Sequence, residues 1–136
     1  MLDQTDMRIL EELSGNSRIT MKELGEKVHL TGQAAAARVA KLEDQGVIEG
    51  YTIKVNQGKL GCHIHAMITI FTKSPHHQPY LAFLEGYPQH VIRNYKISGE
   101  GCYLLECRFP SNEVLDQFLT ELNQHANYRL SIIIKS

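Results

Sequence analysis

Gln33, Ala34, Ala37, Arg38 and Lys41 recur at spacings of one, three and four residues within one short stretch of the chain. On a helix that spacing places them along one side. Their chemistry suits a DNA major groove: a glutamine amide pairs with adenine, an alanine methyl touches thymine, and arginine or lysine contacts guanine or phosphate. Arg18, Lys22 and Thr31 precede them and add donors for phosphate oxygens. The run Ala34-Ala35-Ala36-Ala37 allows close approach but offers few hydrogen bonds. Loose sequence specificity is therefore expected, with DNA shape contributing.

Such a row must sit on a rigid frame, and the first fifty residues read as three capped helices. Asp3 is a candidate N-cap, with Asp6 at the third helical position and Leu2 and Met7 spaced as a hydrophobic staple. Ser14-Gly15-Asn16 ends this helix. Thr20-Met21-Lys22-Glu23 matches the capping box, with Ile19 and Leu24 as its staple. Thr31 caps a third helix running from about Gly32 to Gln45 and stopped by Gly46. Ala35, Val39 and Leu42 form its apolar face. Three short helices with a tight turn between the second and third describe a helix-turn-helix, although a plain three-helix bundle with a solvated basic face has the same spacing.

Charge refines this reading. The chain of 136 residues has a formal net charge of −1. Five bases against two acids lie between Arg18 and Lys41, and acids flank that stretch on both sides. A local patch of this kind can hold phosphates with modest non-specific affinity.

Val47–Asn56 alternates and is β-branched, so it reads as an extended connector, with Gln57-Gly58-Lys59-Leu60-Gly61 as the turn at a domain boundary. The expected division is a helix-turn-helix domain over 1–50, a β-strand linker over 51–61 and a second domain over 62–136. The second domain reads strand (Ile64–Thr72), helix (Tyr80, Phe83, Leu84, Tyr87), strand (Val91–Ile97), strand (Cys102–Phe109), helix (Leu115, Phe118, Leu119, Leu122), strand (Arg129–Lys135). This βαββαβ order is ferredoxin-like, so the chain as a whole is α+β. In the first strand Ile64, Ala66, Ile68 and Ile70 alternate with His65, Met67, Thr69 and Phe71, which makes both faces largely apolar. Two helices cover one face of a sheet, so the other predicts a homodimer.

Together these residues resemble the leucine-responsive/asparagine (Lrp/AsnC) regulators of bacteria and archaea, also called feast/famine regulators. The resemblance is carried by Leu2-Asp3 with Asp6, Ile9-Leu10, Leu13, Ser17-Arg18, Glu23-Leu24, Val28, Leu30-Thr31, Arg38-Val39, Leu42-Glu43, Gly46-Val47-Ile48 and Gly50-Tyr51-Thr52. It implies a transcription regulator that binds double-stranded DNA. It also implies dimers built through the sheets, their assembly into octamers, and modulation by an amino acid or other small metabolite. The family's ligand segment corresponds here to Ser98, Gly99, Glu100, Gly101 and Cys102. Glycines there let backbone N–H groups approach a small anion, and they equally suit a tight hairpin with positive φ. Two positions depart from the family: Gly32 stands where many members have proline, and Cys102 where amino-acid-responsive members have aspartate. The second departure implies weak binding of ordinary amino acids.

Other chemistries find little support. Cys62, Cys102 and Cys107 form no C-x-x-C pair, so neither a disulfide framework nor a zinc site is expected, and free thiols fit a reducing cytoplasm, where a DNA-binding regulator is expected to be nucleoid-associated. His63 and His65 lack a third ligand at recognisable spacing. No catalytic or cofactor fingerprint is present, so no enzyme activity, cofactor or metal is expected. No apolar run approaches the ~18 residues of a membrane span, and no secretory signal opens the chain. Two further functions remain open beside a site-specific regulator. One is an architectural protein that wraps or bends DNA, and the other is a metabolite-binding module whose helices bind protein.

Overall fold

The computed structural model describes residues 1–135, which form two compact units, Met1–Lys54 and the chain from Val55. In the first unit, α1 (Gln4–Gly15), α2 (Met21–Val28) and α3 (Gly32–Asp44) each begin at the expected cap. Asp3 accepts from the Asp6 backbone N–H at 2.8 Å, and Asp6 accepts from the Asp3 N–H at 3.2 Å, a reciprocal box. Thr20 accepts from the Glu23 N–H at 3.1 Å, but its hydroxyl also donates to the Glu23 carboxylate at 2.9 Å, so the second half of that box is side chain to side chain. Thr31 accepts from the Ala34 N–H at 3.0 Å.

The core of this unit is Ile9, Leu13, Ile19, Leu24, Val28, Ala35, Val39 and Leu42. Met7 does not complete the expected staple: it is 55% exposed, while Leu2 packs against the core. Met7 lies two residues from buried Ile9, which on a helix is nearly the opposite side. The turn from α2 to α3 is closed by His29 in the left-handed region (φ 61°) and by the Leu30 N–H donating to the Gly25 carbonyl at 2.8 Å. Gly25 has no room for a side chain. A Cβ there would stand 2.6 Å from the Leu30 carbonyl oxygen and 2.9 Å from that of Thr31.

The segment expected as a β-strand linker joins no ladder among the described residues. Residues 51–56 are irregular, and Gln57–Leu60 form a 3-10 turn. A strand needs ladder partners, and this segment has none among the described residues.

The second unit contains β1 (Ile64–Thr72), α4 (Gln78–Glu85), β2 (Val91–Lys96), β3 (Tyr103–Phe109), α5 (Asn112–Leu122) and β4 (Ala126–Ile132). The sheet order is β2-β3-β1-β4, with every pair antiparallel, as a ferredoxin-like fold requires. Strand β4 begins three residues before the expected Arg129. Helix α5 ends at Leu122, and the chain turns at once, placing Ala126 opposite Thr72 so that β1 is paired along most of its length.

One sheet face is the core. Ala66, Ile68, Ile70, Tyr103, Leu105, Cys107 and Phe109 are buried against Tyr80 and Leu84 of α4 and Leu115, Phe118, Leu119 and Leu122 of α5. The other face is less apolar than expected. By register and alternation it carries Met67, Thr69, Phe71, Leu104 and Tyr95, but also His65, Arg93, Glu106, Arg108 and Arg129. Apart from His65 of β1, these polar groups come from β2, β3 and β4, whose contribution β1 alone does not reveal. Several satisfy one another: His65 Nε2 meets Glu106 at 2.6 Å, and Arg108 donates to His65 Nδ1 at 3.4 Å.

The Gly25 contact yields a direct test. Gly25→Ala should lower stability by about 1–3 kcal/mol, the usual cost of overpacking against atoms that cannot yield. Gly15→Ala, where a Cβ meets nothing within 4 Å, should be neutral or slightly stabilising. Thermal unfolding followed by helical circular dichroism compares the two; equal melting temperatures would show that the turn relaxes freely.

Candidate nucleic-acid interface and ligand segment

The residues expected to meet DNA are brought together on α3 and the elements before it. Gln33, Ala37 and Lys41 are exposed along α3, while Ala34 is half-buried beside them. Arg18 and Lys22 are exposed, ahead of α2 and in its first turn. The Thr31 oxygen is taken up by capping. Its hydroxyl proton stays available to donate.

Arg38 is placed differently from the rest. Its Nη1 donates to both carboxylate oxygens of Asp3, at 2.7 and 2.6 Å, and to Asp6 at 3.2 Å. The side chain that caps α1 therefore also anchors α3. The Arg38 guanidinium, helped by the Asp6 N–H, holds the Asp3 carboxyl down at about 2. A second arginine ties another pair of helices, since Arg8 of α1 donates to the Lys27 carbonyl at 2.7 Å, near the end of α2. Sequence reasoning found the caps, but not Gly25 or Arg8. A glycine within an eight-residue helix was the available signal for the first; the second had none.

In the other unit the segment expected to meet a ligand is a turn between β2 and β3. Gly99 and Gly101 have φ of 100° and 94°, where glycine is favoured. A Cβ at Gly101 would lie 2.7 Å from Thr69 Cγ2, so this residue sits directly on the sheet. The Cys102 N–H donates to the Ile70 carbonyl at 2.7 Å, and the Cys102 carbonyl accepts from the Ile97 N–H at 3.1 Å. Cys102 is half-buried, with its sulfur 3.4 Å from the Thr72 hydroxyl, which lowers the thiol's pKa. Cys107 is buried in the core, and burial pushes its thiol up to about 12. Glu100 forms an ion pair with Arg129 of β4.

Comparison with known proteins adds to this geometry. The family model for winged helix-turn-helix DNA-binding matches residues 2–49. That for the Lrp/AsnC ligand binding domain matches residues 65–136. The chain belongs to the Lrp/AsnC family. The HTH-type transcriptional regulator LrpA of Bacillus subtilis is 64% identical over 134 residues, covering 98% of each chain. The structure of LrpC from the same organism superposes with a TM-score of 0.93 at 31% identity, over 100% of this chain and 96% of that one. A transcriptional regulator of Neisseria meningitidis, solved as a complex with L-Met, superposes at 0.91 with 27% identity, over 100% and 92%. The chain is thus a transcriptional regulator with a helix-turn-helix DNA-binding domain and a ligand-binding domain. Among the described residues no three His, Cys, Asp or Glu side chains gather as a metal site. No helix there is long and apolar enough to cross a membrane.

The Asp3–Arg38 pair fixes a pH dependence. The folded-state value of Asp3 lies below its ordinary 3.8. Its contribution is therefore complete above that value and is lost as pH falls toward about 2. In acid titrations of the full chain followed by circular dichroism, Asp3→Asn should flatten the loss of helix across this window and lower stability at pH 7. An unchanged acid limb would mean that the pair contributes nothing.

Proposed function

We propose that the chain is a sequence-specific DNA-binding regulator that acts as a homodimer or a larger assembly of the same chain, and that a small-molecule effector modulates it. The observation that carries this reading is the exposed row Gln33, Ala37 and Lys41 on a helix held by its cap, by Gly25 and by Arg38. Gln33, Ala34 and Ala37 face base edges, and Arg18, Lys22, Thr31 and Lys41 hold phosphates. Arg38 is a positioning residue, because its charge is already spent on Asp3 and Asp6. Ser98 to Cys102 form the effector segment, in keeping with the match to the ligand-binding domain. A DNA-bound regulator of this kind resides with the nucleoid in the cytoplasm.

The homodimer follows from the sheet. Met67, Phe71, Leu104 and Tyr95 lie on the face that α4 and α5 do not cover, and the charged groups among them are partly paired. Such a mixed face suits an identical partner, whose own apolar and paired groups match it about a two-fold axis. Two recognition helices then read half-sites spaced by about one helical turn of DNA, roughly 10 bp, or multiples of it.

Two tests address the two halves. Lys41→Ala should weaken binding evenly across sequences and reduce the slope of log affinity against log salt by roughly one. Arg38→Ala should instead lower the melting temperature of the chain, and DNA affinity with it. Anisotropy titrations at several salt concentrations, on a random duplex pool and on a site selected from it, separate them. An unchanged slope for Lys41→Ala would remove that residue from the interface. For the assembly, Leu104→Lys on the uncovered face should shift the full chain toward monomer in sedimentation equilibrium while leaving its circular dichroism intact. An unaltered mass would place the interface elsewhere.

A further inference from the structure

Helix α3 ends in a fixed way. Gly46 has φ 73°, and the Val47 and Ile48 N–H groups both donate to the Leu42 carbonyl, at 2.9 and 3.1 Å. Ile48 also packs against the core of the helical unit. Beyond it, from Glu49 to Val55, no backbone N–H donates to a backbone carbonyl among the described residues. Gly50 is exposed, and a Cβ there would meet nothing within 4 Å, so it is a free joint. Packing does not replace the missing bonds. An open cleft of about 750 Å³, lined by Leu10, Leu13 and Ile48, separates this segment from the end of α1. Ile53 is 78% exposed.

One side chain spans the joint. The Tyr51 hydroxyl donates to the carboxylate of Glu43, in the last turn of α3, at 3.1 Å. Among the described residues it is the one side-chain hydrogen bond made between Glu49 and Val55. Both partners belong to the helical unit. The bond closes a loop over Gly46 and Gly50. It thereby ties the direction in which the chain leaves this unit to the axis of α3. Tyr51 is half exposed, so the bond adds little to overall stability. What it restricts is an angle.

We infer that Tyr51 is a positioning residue for paired DNA reading: through Glu43 it fixes the path of the connector relative to α3, and with it the half-site spacing that two copies of the chain occupy. This rests on the homodimeric, site-specific reading above and adds the residue that sets the spacing. In a symmetric pair, each recognition helix is joined to the shared two-fold axis through its own connector. A pivot at Gly50 lets α3 shift against its fellow and tolerate a wrong spacing. The tie removes that freedom before DNA is met, so the strain of a wrong spacing falls on the complex.

Anisotropy titrations of the full chain test the inference. The probes are duplexes carrying two copies of a half-site selected from a random pool, at the selected centre-to-centre spacing and at spacings a few base pairs longer or shorter. The wild type should prefer one spacing. Tyr51→Phe keeps the ring and removes the bond, and should cut that preference by about three- to tenfold, the worth of one hydrogen bond. Its affinity for a duplex with a single half-site, its melting temperature and its circular dichroism should stay close to the wild type. Glu43→Gln keeps an oxygen that accepts the hydroxyl, so it should preserve the preference. Glu43→Ala should lose it, and adding Tyr51→Phe to Glu43→Ala should cost nothing more. A spacing preference that survives in Tyr51→Phe overturns the inference and leaves the regulator reading standing. So does an equal loss of affinity on the single half-site, which would make Tyr51 a direct DNA contact. A wild type indifferent to spacing removes both the paired half-site reading and the inference.

Discussion

Gly25 passes so close to the Leu30 and Thr31 carbonyls that a methyl group would strike them at 2.6 and 2.9 Å. That contact sets how tightly α2 turns into α3, and everything on the exposed side of α3 inherits its direction from it. Thr31 starts α3 by capping Ala34. Arg38 then ties its middle to Asp3 and Asp6, at the start of α1. The acid that begins one helix thereby fixes the angle of another, with one carboxylate serving both. A helix restrained at its start and its middle has little backbone entropy left to lose, which suits the DNA-reading role proposed for it.

How much of this is legible in the sequence depends on the range of each interaction. The caps at Asp3, Thr20 and Thr31 are readable because each involves residues three apart. The buried positions Ala35, Val39 and Leu42 are readable from helical spacing. Spacing reads Arg38 as a DNA contact because its partners lie 32 and 35 residues earlier, a separation at which spacing carries no information. Met7 is assigned to a staple by its offset from Leu2 alone, and the core set by Ile9 and Leu13 overrides it. In the sheet, the order of elements yields the topology, but it sets β4 three residues late. The β-branched end of that strand reads as strand more strongly than Ala126, Asn127 and Tyr128, which the ladder with β1 recruits.

The same difference of range governs the second unit. Alternation in β1 correctly separates Ala66, Ile68 and Ile70 from Met67, Thr69 and Phe71. It does not show that β3 sets Glu106 and Arg108 beside His65. Arg108 approaches Nδ1 and Glu106 meets Nε2. His65 thus bridges two opposite charges on a face that α4 and α5 do not cover. Paired charges of this kind limit which surface can seat there, since a mismatched partner would leave them desolvated and alone. Glu100 and Arg129 add a further pair made within the chain, from the β2–β3 turn to β4.

Footprinting of the full-length protein across a library of genomic fragments tests most directly whether α3 reads particular DNA sequences from a symmetric assembly. The expected result is discrete protected sites with two-fold related halves, spaced by about one helical turn or a multiple of it. Phased protection spreading along extended tracts without preferred sites would contradict sequence-specific reading and indicate DNA wrapping instead. Absence of protection at low salt would contradict DNA binding through this helix altogether.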